Sequence, residues 1–419
     1  MKRFIIIGAA LVFAITTHAQ GPLSPPGPPD VTMRALDELE SRTPIESVPI
    51  TIDEPGSYYL TGNLDAGADG GITIEADNVT VDLMGFTLSG TDLVGIFVAS
   101  GVENTVVRNG AIEEFETGVQ LEGSRNGVYE RLRVRDMTGR GFYLRASGAG
   151  QLVAGNVIRD CLIANNGQDG IWFSAQLEGE ITGNRIEDSV IARNAYNGAY
   201  MLISSDSAML DNQISGCTVV GNGTDEGTTG RYGVYVWSSA STFRGNQFRD
   251  NTFMDNDGRG FYLRVSADGT IRNTSIINNV IHGHSNAGIL TGGPGLISGT
   301  RILGNVVSDN STLIGGVVFP GDISENEMVE NAFVKNNVLF GNFRRNIWIE
   351  EVIGGAVQGN HVSGGTDLGL RMDDSEGIVV TGNSVLGEPF VTSLDDTYGP
   401  VIESTPIPNN SWANFRLEE

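Results

Sequence analysis

The architecture of this chain can be predicted from one recurring stretch, Gly155-Asn-Val-Ile-Arg-Asp-Cys-Leu-Ile-Ala-Asn-Asn166. It aligns with Gly183-Asn-Arg-Ile-Glu-Asp-Ser-Val-Ile-Ala-Arg-Asn194 and with Gly245-Asn-Gln-Phe-Arg-Asp-Asn-Thr-Phe-Met-Asp-Asn256. Each copy holds two short segments in which apolar and polar residues alternate, and turn residues (Gly, Asn and Asp) separate the segments. A two-residue alternation bounded by such residues predicts short β-strands.

A third segment lies outside this stretch and also recurs. It begins with a small residue, usually Gly, and continues with apolar residues at alternate positions. Its first residues are Gly71, Gly95, Gly118, Gly141, Gly170, Gly198, Gly233, Gly260, Gly288, Gly316, Asn346 and Gly369, which lie 23 to 35 residues apart. Three strands in each of about twelve coils, with no helical period between them, predict an all-β parallel β-helix.

The repeat resembles the right-handed parallel β-helix repeat family of the pectin-lyase-like superfamily, over about residues 51–385. That superfamily includes lyases, hydrolases, epimerases and adhesins, so the resemblance implies the fold and leaves the activity open. The chain lacks the Asn-Thr-Asp and Gly-His-Gly motifs of polygalacturonases, the Asp-Pro-His-Asp of alginate epimerases and the Arg-x-Pro-x-x-Arg of pectate lyases. His282-Gly-His284 has no evident third ligand, and we do not expect it to bind a metal.

The two ends of the chain differ from the repeat. Residues 1–19 have Lys2 and Arg3 before a short apolar run, which is typical of an export signal and predicts a secreted or periplasmic protein. Residues 20–50 read as a proline-rich linker and an N-terminal cap, with a short amphipathic helix expected at 31–41. Residues 386–419 are predicted to be a C-terminal capping tail. No later stretch is apolar enough to predict a transmembrane segment.

The composition limits the partners. The 419 residues include 51 acidic and 26 basic ones, for a formal net charge of −25, and removal of Lys2 and Arg3 would make it −27. Such an acid excess repels phosphate backbones, so a nucleic-acid partner is not expected. The hydrophobic fraction of 40% is sufficient for a core, which argues against global disorder.

Polar residues at matching turn positions predict ladders between coils. One set comprises Cys161, Ser189, Cys217, Asn251, Asn279, Asn305 and Asn337, and a second comprises Asn156, Asn184, Asn212 and Asn246. Stacked side chains at these positions can hydrogen-bond backbone amides that the strands leave open. Cys161 and Cys217 fall two coils apart, roughly 9.6 Å at 4.8 Å per coil, so we expect free, buried thiols.

Five consecutive coils place an aromatic residue at the outward position of the Gly-initiated strand, and we call this set the aromatic row. It consists of Tyr143, Trp172, Tyr200, Tyr235 and Tyr262, and Leu290, Val318 and Trp348 follow at the same position. Contiguous exposed aromatic surface usually marks binding, and sugar rings stack on aromatic faces. Packing of the rings against each other is the alternative. We predict substrate-binding roles for Tyr143, Arg145, Trp172, Tyr200 and Trp237.

The longest coil carries an extra loop at residues 223–232, beside the aromatic row, and such a loop can form the wall of a groove. Simple variation in loop length is the alternative. Arg231, Tyr235, Tyr262 and Arg264 supply the residue types that a polysaccharide lyase needs, and Asp225 and Glu226 are candidate Ca²⁺ ligands. These residues favour a lyase that cleaves an acidic glycan by β-elimination. A non-catalytic glycan-binding or cell-surface β-helix protein is the second hypothesis.

Overall fold

The computed structural model describes residues 42–224, 231–310, 315–319, 328–364, 368–386, 390–391, 397–398, 401–402 and 414–417. The predicted export signal, the linker, the helix expected at 31–41 and most of the predicted capping tail lie outside these residues. Asp225 and Glu226 also lie outside them. The described part of the chain contains strands and turns but no helix, and therefore no helix that could span a membrane.

Sheet 1 contains one strand from each coil, and its strands follow one another in chain order. Its members are Ile50–Ile52, Ile72–Ile74, Val94–Val98, Thr117–Glu122, Arg140–Ser147, Ile171–Gln176, Ala199–Ser204, Val234–Ser239, Phe261–Val265, Ile289–Gly292, Val317–Phe319, Arg345–Glu350, Leu368–Asp373 and Phe390–Val391. Twelve of these strands correspond to the twelve predicted copies of the third segment. The first and the last extend the series by one strand at each end.

Sheet 2 collects the remaining strands, and these also pair in parallel between successive coils. Its members are Thr43–Ile45, Gly56–Leu60, Leu64–Asp65, Val79–Asp82, Thr87–Ser89, Val106–Glu113, Val128–Arg135, Leu152–Ala154, Val157–Arg159, Leu162–Ala164, Glu180–Thr182, Arg185–Glu187, Val190–Ala192, Ala208–Leu210, Gln213–Ser215, Thr218–Val220, Thr242–Arg244, Gln247–Arg249, Thr252–Met254, Thr270–Arg272, Ser275–Ile277, Val280–His282, Leu296–Ser298, Arg301–Leu303, Val306–Ser308, Met328–Lys335, Val338–Phe340, Val352–Gln358, His361–Ser363, Glu376–Thr381, Ser384–Leu386, Thr397–Tyr398, Val401–Ile402 and Asn414–Leu417. The predicted parallel β-helix is therefore confirmed.

Side chains alternate between the core and the surface along each strand, as the repeat predicts. In the strand Arg140–Ser147, Phe142 and Leu144 have no exposed surface, whereas Tyr143 and Arg145 are partly exposed. Large aromatic residues fill the middle of the core. Phe253 packs edge to face against Phe261, with ring centroids 4.3 Å apart. Burial of such side chains contributes about 1.5–3 kcal/mol each to folding.

The two predicted ladders are present. Asn251, Asn279 and Asn305 are fully buried, and the Nδ2 of each Asn donates to the Oδ1 of the next, as in Asn251 to Asn279 at 3.0 Å. Asn156, Asn184, Asn212 and Asn246 form the second ladder in the same way. Backbone amides of each coil are thereby satisfied by the next coil. These asparagines therefore connect successive coils of the stack.

The structure contains a third ladder that sequence analysis missed. It consists of Asn166, Asn194, Asn222, Asn256, His284, Asn310 and Asn342. The Nδ1 of His284 accepts the Asn256 amide at 3.2 Å, so the imidazole takes the place of an asparagine. Its Nε2 has no hydrogen-bond partner, although the side chain is fully buried. The quoted repeat shows the signal, since all three copies end in Asn.

Replacing His284 with asparagine should make folding less sensitive to acid. Burial lowers the pKa of His284 from its ordinary 6.5 to about 4. Because the unfolded chain takes up the proton first, the stability this neutral imidazole supports is complete above pH 6.5 and is lost as pH falls to 4. The wild type should therefore lose about 3 kcal/mol over that interval that H284N retains. If the urea midpoint changed by the same amount between pH 7 and pH 4.5 in both proteins, the prediction would be wrong.

Cys161 and Cys217 are free and buried, as predicted. Burial raises the pKa of both thiols to about 12, so they are protonated at neutral pH. The sulfur of Cys161 contacts the carbonyl oxygen of Arg159 at 3.2 Å, within its own turn. These cysteines occupy ladder positions and are chemically inert in the folded protein.

Candidate functional site

The aromatic row forms a continuous stack of rings on the outer face of sheet 1. The centroids of Tyr143 and Trp172 are 5.1 Å apart, those of Trp172 and Tyr200 5.7 Å, and those of Tyr200 and Tyr235 5.1 Å. Tyr235 and Tyr262 continue the stack at 5.4 Å with an interplanar angle of 7°. The spacing follows from the fold, because parallel strands of successive coils lie about 4.8 Å apart.

This stacking changes how a sugar could contact the rings. The faces of Trp172, Tyr200 and Tyr235 are covered by neighbouring rings on both sides, and all three side chains are only partly exposed. The expectation that sugar rings stack on the faces of the row is therefore wrong for these three residues. Trp237 lies outside the stack, and the guanidinium carbon of Arg264 is 5.4 Å from its ring centroid.

Leu290 and Val318 continue the row, but they do not point to solvent. Both are buried, in a small cluster with Ala287 against which Tyr262 and Trp348 pack. Both lie on the outer face of sheet 1, as predicted, but apolar neighbours cover them, so the prediction of solvent exposure was wrong for these two. The row is thus bounded by a hydrophobic contact on the side of Tyr262.

A cleft of about 270 Å³ opens beside the middle of the aromatic row. Its lining consists of Asp169, Tyr196, Asn197, Tyr200, Tyr235, Trp237 and Arg264. Adjacent strands of sheet 1 place Trp237 and Arg264 at paired positions, and Tyr235 lies two residues before Trp237. Four predicted site residues therefore meet in one cleft, namely Tyr200, Tyr235, Trp237 and Arg264.

Tyr235 and Arg264 influence each other in this cleft. Burial raises the pKa of Tyr235, and the nearby guanidinium of Arg264 counters only part of that rise. The pKa of Tyr200 is also raised by burial. Both phenols are therefore protonated at neutral pH and can donate a proton or a hydrogen bond.

The other predicted catalytic and binding residues lie elsewhere along the row. The guanidinium of Arg231 pairs with the carboxylate of Asp257 at 2.5 Å, and Arg145 pairs with Glu122 at 3.3 Å. Tyr262 stacks on Tyr235 outside the lining of the cleft. A carboxylate already neutralises Arg231 and Arg145, which makes them poor sites for a substrate anion.

Sequence analysis missed three residues of the cleft, Asp169, Tyr196 and Asn197, and Asp169 is the ionisable carboxyl among them. Only 4% of it is exposed, and its Oδ1 accepts hydrogen bonds from the amide of Asn197 at 3.1 Å and from the Asn197 side chain at 2.8 Å. Burial raises its pKa to about 6. Asn197 then accepts the amide of Tyr232 in the following coil, so Asp169 occupies a ladder position. Burial of a carboxyl at a ladder position that an asparagine could occupy costs free energy of folding. An aspartate at such a position was therefore the sequence signal that could have identified Asp169 as a site residue.

Three arginines lie along the row, and two of them, Arg140 and Arg259, are partly buried against its rings. Arg140 stacks on Trp172 with its guanidinium carbon 3.8 Å from the ring centroid, and Arg259 stacks on Tyr262 at 4.4 Å. Within the described ranges, neither these two nor Arg264 forms an ion pair with a carboxylate, in contrast to Arg145 and Arg231. The row therefore presents local positive charge on a protein of net charge −25.

Two carboxylates also meet further along the same face. Glu350 and Asp373 occupy paired positions on adjacent strands, and burial, followed by the charge of Asp373, raises the pKa of Glu350. The Oδ2 of Asp373 accepts the indole Nε1 of Trp348 at 3.0 Å and also pairs with Arg371. Asp373 is thus held by two donors, and its carboxylate acts mainly to orient Trp348.

The predicted Ca²⁺ ligands Asp225 and Glu226 fall outside the described residues. Oxygen donors of this type suit Ca²⁺. In the part of the chain that the structure describes, no group of three or more His, Cys, Asp or Glu residues could hold a metal ion.

Comparison with known proteins identifies the fold family. The model of the right-handed β-helix region matches residues 70–248, 153–319 and 247–405, and the chain belongs to that family. No curated protein is significantly similar to this sequence.

Several solved structures are similar to this chain at low sequence identity. The A-module of the mannuronan C-5 epimerase AlgE4 of Azotobacter vinelandii is similar over 81% of this chain and 89% of that chain, at 17% identity and a TM-score of 0.50. The A-module of AlgE6 from the same organism matches over 87% and 91%, at 18% identity and a TM-score of 0.48. An alginate lyase of Paenibacillus sp. str. FPU-7 matches over 64% and 96%, at 14% identity and a TM-score of 0.45. At such identities the likeness concerns the fold alone.

Proposed function

We propose that this chain binds an extended acidic polysaccharide along the aromatic row and cleaves it by β-elimination in the cleft. The observation that carries the proposal is the grouping of Asp169, Tyr235 and Arg264, because it combines a carboxyl, a phenol and a guanidinium in one open site. We also propose that the protein acts outside the cytoplasm, because residues 1–19 have the pattern of an export signal.

Each of the three groups has a role that its environment supports. The guanidinium of Arg264 neutralises the carboxylate of the sugar and so acidifies the neighbouring C–H bond. Asp169, ionised above about pH 6, removes that proton. The electron pair forms a carbon–carbon double bond, the bond to the glycosidic oxygen breaks, and the Tyr235 hydroxyl gives its proton to that oxygen. Water then restores the proton on Tyr235 and takes the one on Asp169.

The row supplies binding positions on either side of the cleft. Arg140 and Arg259 occupy the same register position four coils apart, which is roughly 19 Å along the stack. Guanidinium groups at this spacing can engage carboxylates of different sugar units on one chain. The edges of the stacked rings then contact the polymer between them.

A non-catalytic glycan-binding protein is the second candidate. The observation that favours it is the closed stack, in which Tyr235 is held between the rings of Tyr200 and Tyr262. A rigid surface of this type suits retention of a polymer without turnover. In that case the arginines and Trp237 bind the glycan, and Asp169 only stabilises its turn through the hydrogen bonds with Asn197.

One experiment separates these functions. The purified protein is incubated with uronate polysaccharides, with Ca²⁺ and with a chelator, and the ultraviolet absorbance of the unsaturated product is followed. Mannuronan is a sensible first substrate, because the epimerase module that shares the fold is named for it. An increase in absorbance establishes elimination, and its loss with chelator establishes a need for Ca²⁺. A flat trace with retention on a glycan gel establishes binding alone, and a flat trace without retention contradicts both functions.

Replacing Trp237 with alanine should weaken glycan binding about 30-fold, the equivalent of about 2 kcal/mol for an aromatic hot spot. Trp237 lines the cleft, but it is not one of the stacked rings, so the variant removes a binding surface without opening the row. Affinity electrophoresis in a gel containing the polysaccharide measures the effect. Phe340→Ala is the matched control, since this exposed aromatic residue lies on sheet 2. Equal retardation of Trp237→Ala and the wild type would contradict a role for the cleft.

A further inference from the structure

A second cleft, of about 260 Å³, lies on sheet 2 and is lined by Arg301, Leu303, Phe333 and Lys335. Two adjacent strands build it, and in their register Arg301 pairs with Phe333 and Leu303 with Lys335. The residues between them, Ile302 and Val334, point into the core and are fully buried. The four lining side chains therefore project from the same outer face of two successive coils.

The four side chains alternate in character around the cleft. The two cationic residues, Arg301 and Lys335, lie on one diagonal of the cleft, and the apolar residues Leu303 and Phe333 lie on the other. Diagonal neighbours in a sheet lie about 7–8 Å apart, a separation that two long cationic side chains can close on one anion. The Nζ of Lys335 is 5.2 Å from the centroid of the Phe333 ring, so its charge is held over the aromatic face.

The charge of this cleft has no carboxylate partner among the residues that the structure describes, because neither Arg301 nor Lys335 forms an ion pair there. At the equivalent outward positions, the preceding coil carries Ser275 and Ile277, and the following coil carries Ala356 and Gln358. Two cations thus lie beside uncharged neighbours at these positions, on a chain with 51 acidic residues. Such local complementarity attracts an anion despite the net charge.

The apolar diagonal restricts which anion fits. A small inorganic anion would use Arg301 and Lys335 but would leave the Phe333 ring and the Leu303 side chain uncovered. A uronate sugar has a carboxylate and an apolar C–H face on opposite parts of one ring. Its carboxylate can contact Arg301 and Lys335 while its C–H face covers Phe333 and Leu303. Strand pairing places the cleft on sheet 2, whereas the residues of the aromatic row belong to sheet 1.

We propose that this cleft is a second binding site, which holds a carboxylate-bearing sugar unit of an acidic polysaccharide and anchors the protein on the polymer. The choice of polymer rests on the proposed function, but the site does not, because none of its residues takes part in the elimination.

The test uses affinity electrophoresis of the full chain in gels containing a uronate polysaccharide or a neutral one. The double variant Arg301→Gln/Lys335→Gln should lose retardation in the uronate gel by about tenfold or more, since two charge-assisted contacts are removed. Its elimination rate on short oligosaccharides should equal that of the wild type. Arg244→Gln/Arg272→Gln is the matched control, because it removes two exposed cations from paired positions on sheet 2 outside the cleft. This control should migrate as the wild type does.

Several results would overturn the second site. Unchanged retardation of Arg301→Gln/Lys335→Gln excludes it, and an equal loss in Arg244→Gln/Arg272→Gln shows general charge attraction instead. Free glucuronate should displace the polymer from a Trp237→Ala protein, and equal displacement by inorganic phosphate would reduce the site to a simple anion site. A protein without elimination activity that still depends on Arg301 and Lys335 for retardation would refute the lyase and retain this site.

Discussion

Replacing Asp169 with asparagine is expected to reduce elimination about 10²–10⁴-fold, the usual contribution of a general base. The substitution is close to isosteric, and the asparagine Oδ1 can still accept the two hydrogen bonds from Asn197. The fold and the retardation in polysaccharide gels should therefore persist. Initial rates of unsaturated product measure the effect. Asp206→Asn, at an exposed carboxylate on another turn, is the matched control and should keep the wild-type rate.

The pH dependence makes this prediction more specific. Because burial raises the pKa of Asp169 to about 6, the base becomes available as pH increases through that value. The elimination rate should rise across pH 5 to 7 in the wild type, and the residual rate of Asp169→Asn should not show this rise. A wild-type rate in Asp169→Asn, or a profile without an inflection near pH 6, would remove Asp169 from the mechanism.

Stability separates a catalytic role from a structural one at the same residue. A carboxyl whose pKa rises from 3.8 to about 6 on folding destabilises the native state as pH increases through that interval. Asp169→Asn should consequently be more stable than the wild type at pH 7, by about 3 kcal/mol at most. A loss of rate together with a gain in stability is the compromise expected of a functional group. A fall in melting temperature would indicate that the ionised carboxylate supports the turn.

Replacing Asn305 with alanine is expected to destabilise the protein by about 3–5 kcal/mol. The Asn305 Oδ1 accepts the Asn279 amide at 2.8 Å and its side chain at 3.1 Å, and the Asn305 Nδ2 donates to the Ile276 carbonyl at 2.9 Å. Alanine removes the side-chain partner of the Asn279 backbone amide and of the Ile276 carbonyl, at about 1–3 kcal/mol each before relaxation, whereas the Asn279 side chain keeps its bond to the Phe248 carbonyl. Urea denaturation measures the change.

Gln247→Ala is the matched control for the ladder. Gln247 is an exposed strand residue in sheet 2, and substitutions at such positions usually change stability by less than about 0.5 kcal/mol. Equal urea midpoints for Asn305→Ala and Gln247→Ala would show that water replaces the ladder contacts. Because neighbouring repeats depend on each other, the loss should also reduce the cooperativity of unfolding.

Much of the architecture could be predicted from periodicity. The alternation in Gly-initiated segments predicted which residues are buried, and the burial of Phe142 and Leu144 beside the partly exposed Tyr143 confirms it. The constant distance between turns also predicted that Cys161 and Cys217 stay apart as free thiols. The third ladder, which contains Asn166 and His284, has the same signal in the repeat but was not predicted.

The composition of the cleft was harder to predict. Arg231 and Arg264 are equivalent as residue types beside the same loop, yet Asp257 pairs with one and no described carboxylate pairs with the other. Asp169 comes from a turn two coils before Tyr235, and a repeat pattern does not show which turn residues reach over the strand that follows. Such contacts depend on the side chains of adjacent coils, which the period leaves free to vary.

Periodicity alone was sufficient to predict the parallel β-helix, the register of its coils, the aromatic row and two of the ladders, because a recurring pattern of strands and turns stacks equivalent residues even where the loops differ in length. The tertiary structure was needed to show that the rings of the row cover each other's faces, that Leu290 is buried, and that Asp169, Tyr235 and Arg264 line one cleft. Strand alternation assigns a side chain only to a face of the sheet. Its contacts are then set by the rotamers, charges and volumes of neighbours from other coils.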